Sequence, residues 1–121
     1  MSRNSPTLKT LRLTVMVASA AVFAPAPASA QSGRCAEEAA AIRRAETQLP
    51  RLDVAPPGDQ QIVCITLETN ILFARRIAAH LAQCPRSTHA RNADAWQRTG
   101  SRYTAQFSDR RCKPAIRGYR G

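Results

Sequence analysis

Cys64 and Cys84 stand near the two ends of one helical pattern, Asp59 to Cys84 (DQQIVCITLETNILFARRIAAHLAQC). That placement restricts the fold more than any other feature of the chain. Cys64, Leu67, Ile71, Ala74, Ala78 and Leu81 recur at steps of three and four, the seam of an amphipathic helix. A second seam, Ile62, Phe73, Ile77 and Cys84, falls on the other side, so this helix is expected to pack between two neighbours. The β-branched residues Ile62, Val63, Ile65 and Thr66 would also suit a strand. Alternation fails at Ile62-Val63-Cys64-Ile65, however, while the helical seam continues unbroken. Asp59 after Pro56-Pro57-Gly58 suits an N-cap, and Pro85 ends the run.

Residues 1–30 read as a secretory signal peptide. Arg3, Lys9 and Arg12 form its positive start, and Leu13 to Ala24 its apolar core. Ala28-Ser29-Ala30 supplies the small-residue cleavage site, so the mature chain is expected to begin at Gln31. The apolar core falls short of the roughly 20 residues that a spanning helix needs. Export to the periplasm or beyond the cell follows. With it comes an oxidising compartment in which Cys35, Cys64, Cys84 and Cys112 form two disulfides. Removing 30 residues from 121 leaves 91, enough for one small domain over 31–112 and a short basic tail over 113–121 that reads as mobile.

Two further helices flank the central one. Cys35 to Leu49 places Cys35, Ala39, Ile42 and Leu49 on one face, with Glu37 and Glu38 in its first turn. Asn92 is expected to cap a third helix running to about Arg111, with Trp96, Gly100, Tyr103 and Phe107 as its core face. Arg98 and Arg102 lie opposite that stripe.

Four cysteines allow three pairings. In a continuous helix Cys64 and Cys84 are about 30 Å apart, too far for a disulfide. The third helix returns after a short turn and is expected to run antiparallel to the second, bringing Cys112 beside Cys64. Cys35 is left for Cys84. The expected fold is therefore all-α, three helices with the second in the middle, stapled Cys35–Cys84 and Cys64–Cys112. In that register Tyr103 should lie near Ala74, Phe107 near Ile71 and Trp96 near Leu81.

No catalytic set is assembled by spacing. His80 reads as a helix-end cation or a packing residue. Glu68 reads as a surface salt-bridge partner of Arg75 and Arg76. Cys84 with His80 and His89 is too loose a cluster to imply a metal, and no cofactor is implied. Charge is more informative. After residue 30 there are fifteen basic and eight acidic residues, and nine of the basic ones lie beyond Cys84 against only Asp94 and Asp109. Arg98, Arg102, Arg110, Arg111 and Arg117 are thus the candidate contacts for an anionic partner: membrane head groups or an acidic protein face. No nucleic-acid motif accompanies them. The alternative is a structural or inhibitory protein–protein module that uses an apolar surface at Ile65 and Leu72, which project among polar residues of the central helix.

Overall fold

The computed structural model describes residues 28–117. Residues 1–27, most of the stretch read as a signal peptide, and residues 118–121 of the tail lie outside that range. Three helices follow in order: α1 Ala28–Thr47, α2 Gln60–Gln83 and α3 Ala93–Asp109. Short 3₁₀ turns at Leu52–Val54 and Thr88–Asn92 lie in the two connections. No strand occurs among the described residues. The fold is all-α with α2 between the other two, as its pair of apolar seams required.

The helix ends follow local chemistry. Asp59 caps α2 by accepting the Ile62 amide at 3.1 Å. Asn92 does not cap α3 with its side chain. Ser87 takes the capping role one step earlier, for the 3₁₀ turn, by accepting the His89 amide at 3.3 Å. At its far end α3 stops in a Schellman turn, in which the Arg111 amide donates to Ser108 O and the Cys112 amide to Phe107 O. Arg111 occupies the left-handed position of that turn, φ 54°. The turn directs Cys112 back onto α2.

Both disulfides pair as the antiparallel geometry demands: Cys35–Cys84 with Cα atoms 5.8 Å apart, and Cys64–Cys112 at 5.5 Å. Between them lie two apolar clusters. Val63, Leu67, Ile71 and Phe107 fill the cluster nearer Cys64, closed from the side by Leu52, Ala55, Leu72 and Tyr103. Ile42, Phe73 and Ile77 fill the other with Leu49, Leu81 and Trp96, and this one joins α1 to the α2–α3 pair. The Trp96 ring stands edge-on to Phe73, centroids 4.7 Å apart, a favourable aromatic geometry.

The expected register is found at two contacts. Phe107 meets the Ile71 cluster, and Trp96 the cluster that holds Leu81. Ala74 meets Gly100, one turn before Tyr103: a Cβ added at Gly100 would stand 3.0 Å from Ala74 Cβ. The helices are close there, and Tyr103 packs against the first cluster. The second seam also loses Ile62, which is 42 % exposed, while its buried neighbour Val63 packs into the first cluster.

Candidate functional site

α3 and the segment after it carry the excess charge. Arg86, Arg91, Arg98, Arg102, Arg110, Arg111, Lys113 and Arg117 are all exposed, against the two exposed acids Asp94 and Asp109. On α3 itself, the core stripe forces Arg98 and Arg102 outward, one turn apart. The Arg102 guanidinium lies 5.5 Å from the Tyr103 ring centroid, a cation–π contact that leaves its charge at the surface. Arg110 and Arg111 follow the last turn of α3, where cations favour the negative end of the helix dipole. The Arg110 carbonyl accepts Gln60 Nε2 at 2.7 Å, tying that end of α3 to the start of α2. Among the described residues, the ion pairs Arg51–Asp53 and Arg76–Glu38 both lie outside residues 85–117.

The segment just before Arg117 is held by a contact that sequence reasoning missed. Glu68 is not a surface partner of Arg75 and Arg76; it is fully buried in α2. Its carboxylate accepts the Ala115 amide at 3.0 Å on each oxygen and the Ile116 amide at 2.7 Å on Oε1. Such charge-assisted bonds offset part of the cost of burying a carboxylate. They also hold the strap 113–117, the first part of the stretch read as a mobile tail, against α2, with Ile116 half-buried. The strap brings exposed Lys113 and Arg117 alongside the bundle.

At the opposite end two histidines form a clamp. His80 and His89 are both buried, their rings edge-on with centroids 5.8 Å apart. His89 Nε2 donates to the Ala39 carbonyl of α1 at 2.9 Å, so Nε2 carries the proton. His80 Nε2 shares a 2.7 Å hydrogen bond with the Ser87 hydroxyl. Burial, and then the neighbouring His89, lower the His80 pKa, with Arg76 acting in the same direction and Glu38 against it. His80 is therefore a neutral, hydrogen-bonded residue at neutral pH and not a helix-end cation. The Ser87 hydroxyl already serves as an N-cap, which makes the arrangement a structural clamp on the Cys35–Cys84 end. Among the described residues no three His, Cys, Asp or Glu side chains are placed to hold a metal ion.

The apolar alternative divides. Leu72 is half-buried against the first cluster, beside Leu52 and Ala55 of the connector. Asn70 Nδ2 donates to Thr66 O and Pro50 O, each at 2.9 Å, and so pins the start of that connector to α2. Ile65 remains 39 % exposed, one turn from Ile62. No helix among the described residues is long and apolar enough to cross a membrane. No protein-family model, no curated protein and no solved structure matches this chain.

Proposed function

We propose that the protein is a non-catalytic binding module of the cell envelope or exterior that contacts an anionic surface through α3 and the strap. Lipid head groups or an acidic protein face would provide that surface. One observation carries this reading. Over residues 85–117, eight exposed cations face two exposed acids, and neither ion pair of the described residues involves them. The two disulfides support it indirectly, because they fit an oxidising compartment outside the cytoplasm. Intact mass of the exported protein should correspond to a chain starting at Gln31.

The test is binding of the oxidised mature protein to phosphatidylglycerol vesicles and to phosphatidylcholine vesicles across a salt series. Exposed charges are screened beyond about 8 Å at physiological salt, so binding to the anionic vesicles should fall steeply as salt rises. Arg98→Gln with Arg102→Gln should weaken it on the order of thirtyfold, at about 1 kcal/mol for each surface charge removed. Equal binding to both vesicle types, or none to either at low salt, would overturn the proposal.

A second reading rests on the exposed pair Ile62 and Ile65. It makes this face of α2 a contact for a partner protein. Ile65→Asp would then abolish recovery of that partner while leaving vesicle binding unchanged.

A further inference from the structure

A wedge opens between α1 and the turn that follows α2, at the Cys35–Cys84 end of the molecule. Two tethers fix its walls. The disulfide joins them at one edge, with Cα atoms 5.8 Å apart. The 2.9 Å bond from His89 Nε2 to the Ala39 carbonyl joins them again, one turn further along α1. The wedge has a volume of about 550 Å³, inside the roughly 300–1,000 Å³ range of small-molecule sites. Arg43 of α1 and Arg86 of the turn both line it, with the hydroxyls of Ser32 and Thr88, and no carboxylate does. Neither arginine belongs to an ion pair among the described residues. The Ser87 hydroxyl is also present, but His80 and the His89 amide already engage it. Ala36, Ala39 and Pro85 add short apolar side chains that leave the space open.

These features select a ligand. Two guanidiniums lining one space, with no acid among the lining, favour two negative charges over one. Each guanidinium is a fork of N–H donors, so two forks and two hydroxyls suit several acceptor oxygens on one centre. A carboxylate offers one charge, and so does a phosphodiester. A phosphate monoester carries close to two charges at neutral pH and three strong acceptor oxygens. The apolar wall at Ala36 and Pro85 then receives the organic group to which the phosphate is esterified.

We propose that this wedge binds one phosphate monoester, held by Arg43 and Arg86 with the Ser32 and Thr88 hydroxyls as further donors. No residue of α3 lines the wedge, so the site is separate from the face that carries Arg98 and Arg102. Its first test uses soluble ligands and does not depend on vesicle binding.

The oxidised mature protein, isotope-labelled for amide NMR, is titrated with glucose 1-phosphate and, as the diester control, with dimethyl phosphate. The amide shifts of Ala36 and Thr88 should saturate at one glucose 1-phosphate per protein and should stay unchanged with the diester at equal concentration. Arg43→Gln and Arg86→Gln should each weaken binding about fivefold, the effect of one exposed charge pair. Arg98→Gln with Arg102→Gln should leave it unaltered. Ala36→Phe fills the wedge from an exposed position and should abolish it. Should Ala36→Phe fail to fold by circular dichroism, the two arginine variants decide. A vesicle arm then locates the monoester. If the Arg98→Gln, Arg102→Gln protein prefers phosphatidic acid to phosphatidylglycerol vesicles, the site takes it from a lipid head group; if only glucose 1-phosphate binds, it takes a soluble ester. Shifts that do not saturate, that the diester reproduces, or that survive both arginine variants undiminished would overturn the assignment.

Discussion

The Glu68 carboxylate receives the backbone amide of Ile116 at 2.7 Å, across 48 residues of sequence, from a position with no exposure to solvent. A buried carboxylate without a cationic partner in hydrogen-bond contact is tolerated only when amides or waters satisfy it. Here the amides come from a chain segment with no secondary structure of its own. The interaction therefore works in both directions: the strap satisfies the charge, and the charge holds the strap.

Removing that acceptor should loosen the strap before it unfolds the bundle. Glu68→Ala leaves two strap amides without partners and is expected to cost about 1–3 kcal/mol in urea unfolding. Glu68→Gln keeps one acceptor oxygen and should cost less. Hydrogen exchange at Ala115 and Ile116 should accelerate in both variants, with Leu67 and Ile71 remaining protected. Unchanged exchange at 115 and 116 would show that the strap is held by Ile116 packing alone.

Arg111 holds a left-handed conformation, which disfavours any residue with a Cβ. Arg111→Gly should raise stability by about 1 kcal/mol, because the Schellman turn is kept and the steric penalty is removed. Anionic-vesicle binding should weaken in the same variant, since a surface cation is lost. A parallel fall in stability and binding would mean that the Arg111 side chain makes a stabilising contact.

The frame was legible in the sequence because few arrangements satisfied it. A helix long enough to separate Cys64 from Cys84 excluded one pairing, and antiparallel return of α3 selected between the other two. The outward placement of Arg98 and Arg102 followed from the Trp96, Tyr103 and Phe107 stripe in the same way. Glu68 escaped because its partners are backbone amides, which every residue but proline carries and no residue type announces. A glutamate two turns before Arg75 and Arg76 on a long helix reads as an ordinary surface charge equally well. The Gly100–Ala74 contact escaped for a related reason. Sequence spacing marks the shared face of α3, but the depth at which each residue of that face sits depends on helix rotation. His80 and His89 met through the 3₁₀ turn capped by Ser87, whose geometry the polar run Pro85 to Arg91 did not disclose.

The two disulfides should not be equivalent. Cys64–Cys112 joins elements that already share a long interface around Phe107, whereas Cys35–Cys84 fastens α1, which shares the smaller cluster at Ile42. Replacing Cys35 and Cys84 by Ala should cost about 2–5 kcal/mol. Exchange should rise first in α1, at Ala39 and Ile42, with the α2–α3 pair still protected. Uniform loss of protection would show that the three helices unfold as one unit.

Mild acid should weaken the same end of the molecule. Burial lowers the His80 pKa, the nearby His89 and Arg76 act in that direction, and Glu38 opposes them. The unfolded chain, with a histidine pKa of about 6.5, then takes up a proton that the folded protein resists. The contribution is complete above that value. It is lost progressively as pH falls below it toward the lowered folded pKa, with a slope of at most about 1.4 kcal/mol per pH unit for one proton. Glu38 acts in a separate window: the Arg76 hydrogen bond lowers its pKa, so its contribution is lost only at more acid pH, below the usual glutamate value of about 4.3. Urea unfolding at pH 7.5, 6.5 and 5.5 should therefore show declining stability in the wild type. A flatter profile is expected in His80→Gln, whose amide can keep the bond to Ser87. An identical slope in both proteins would move the acid sensitivity away from His80.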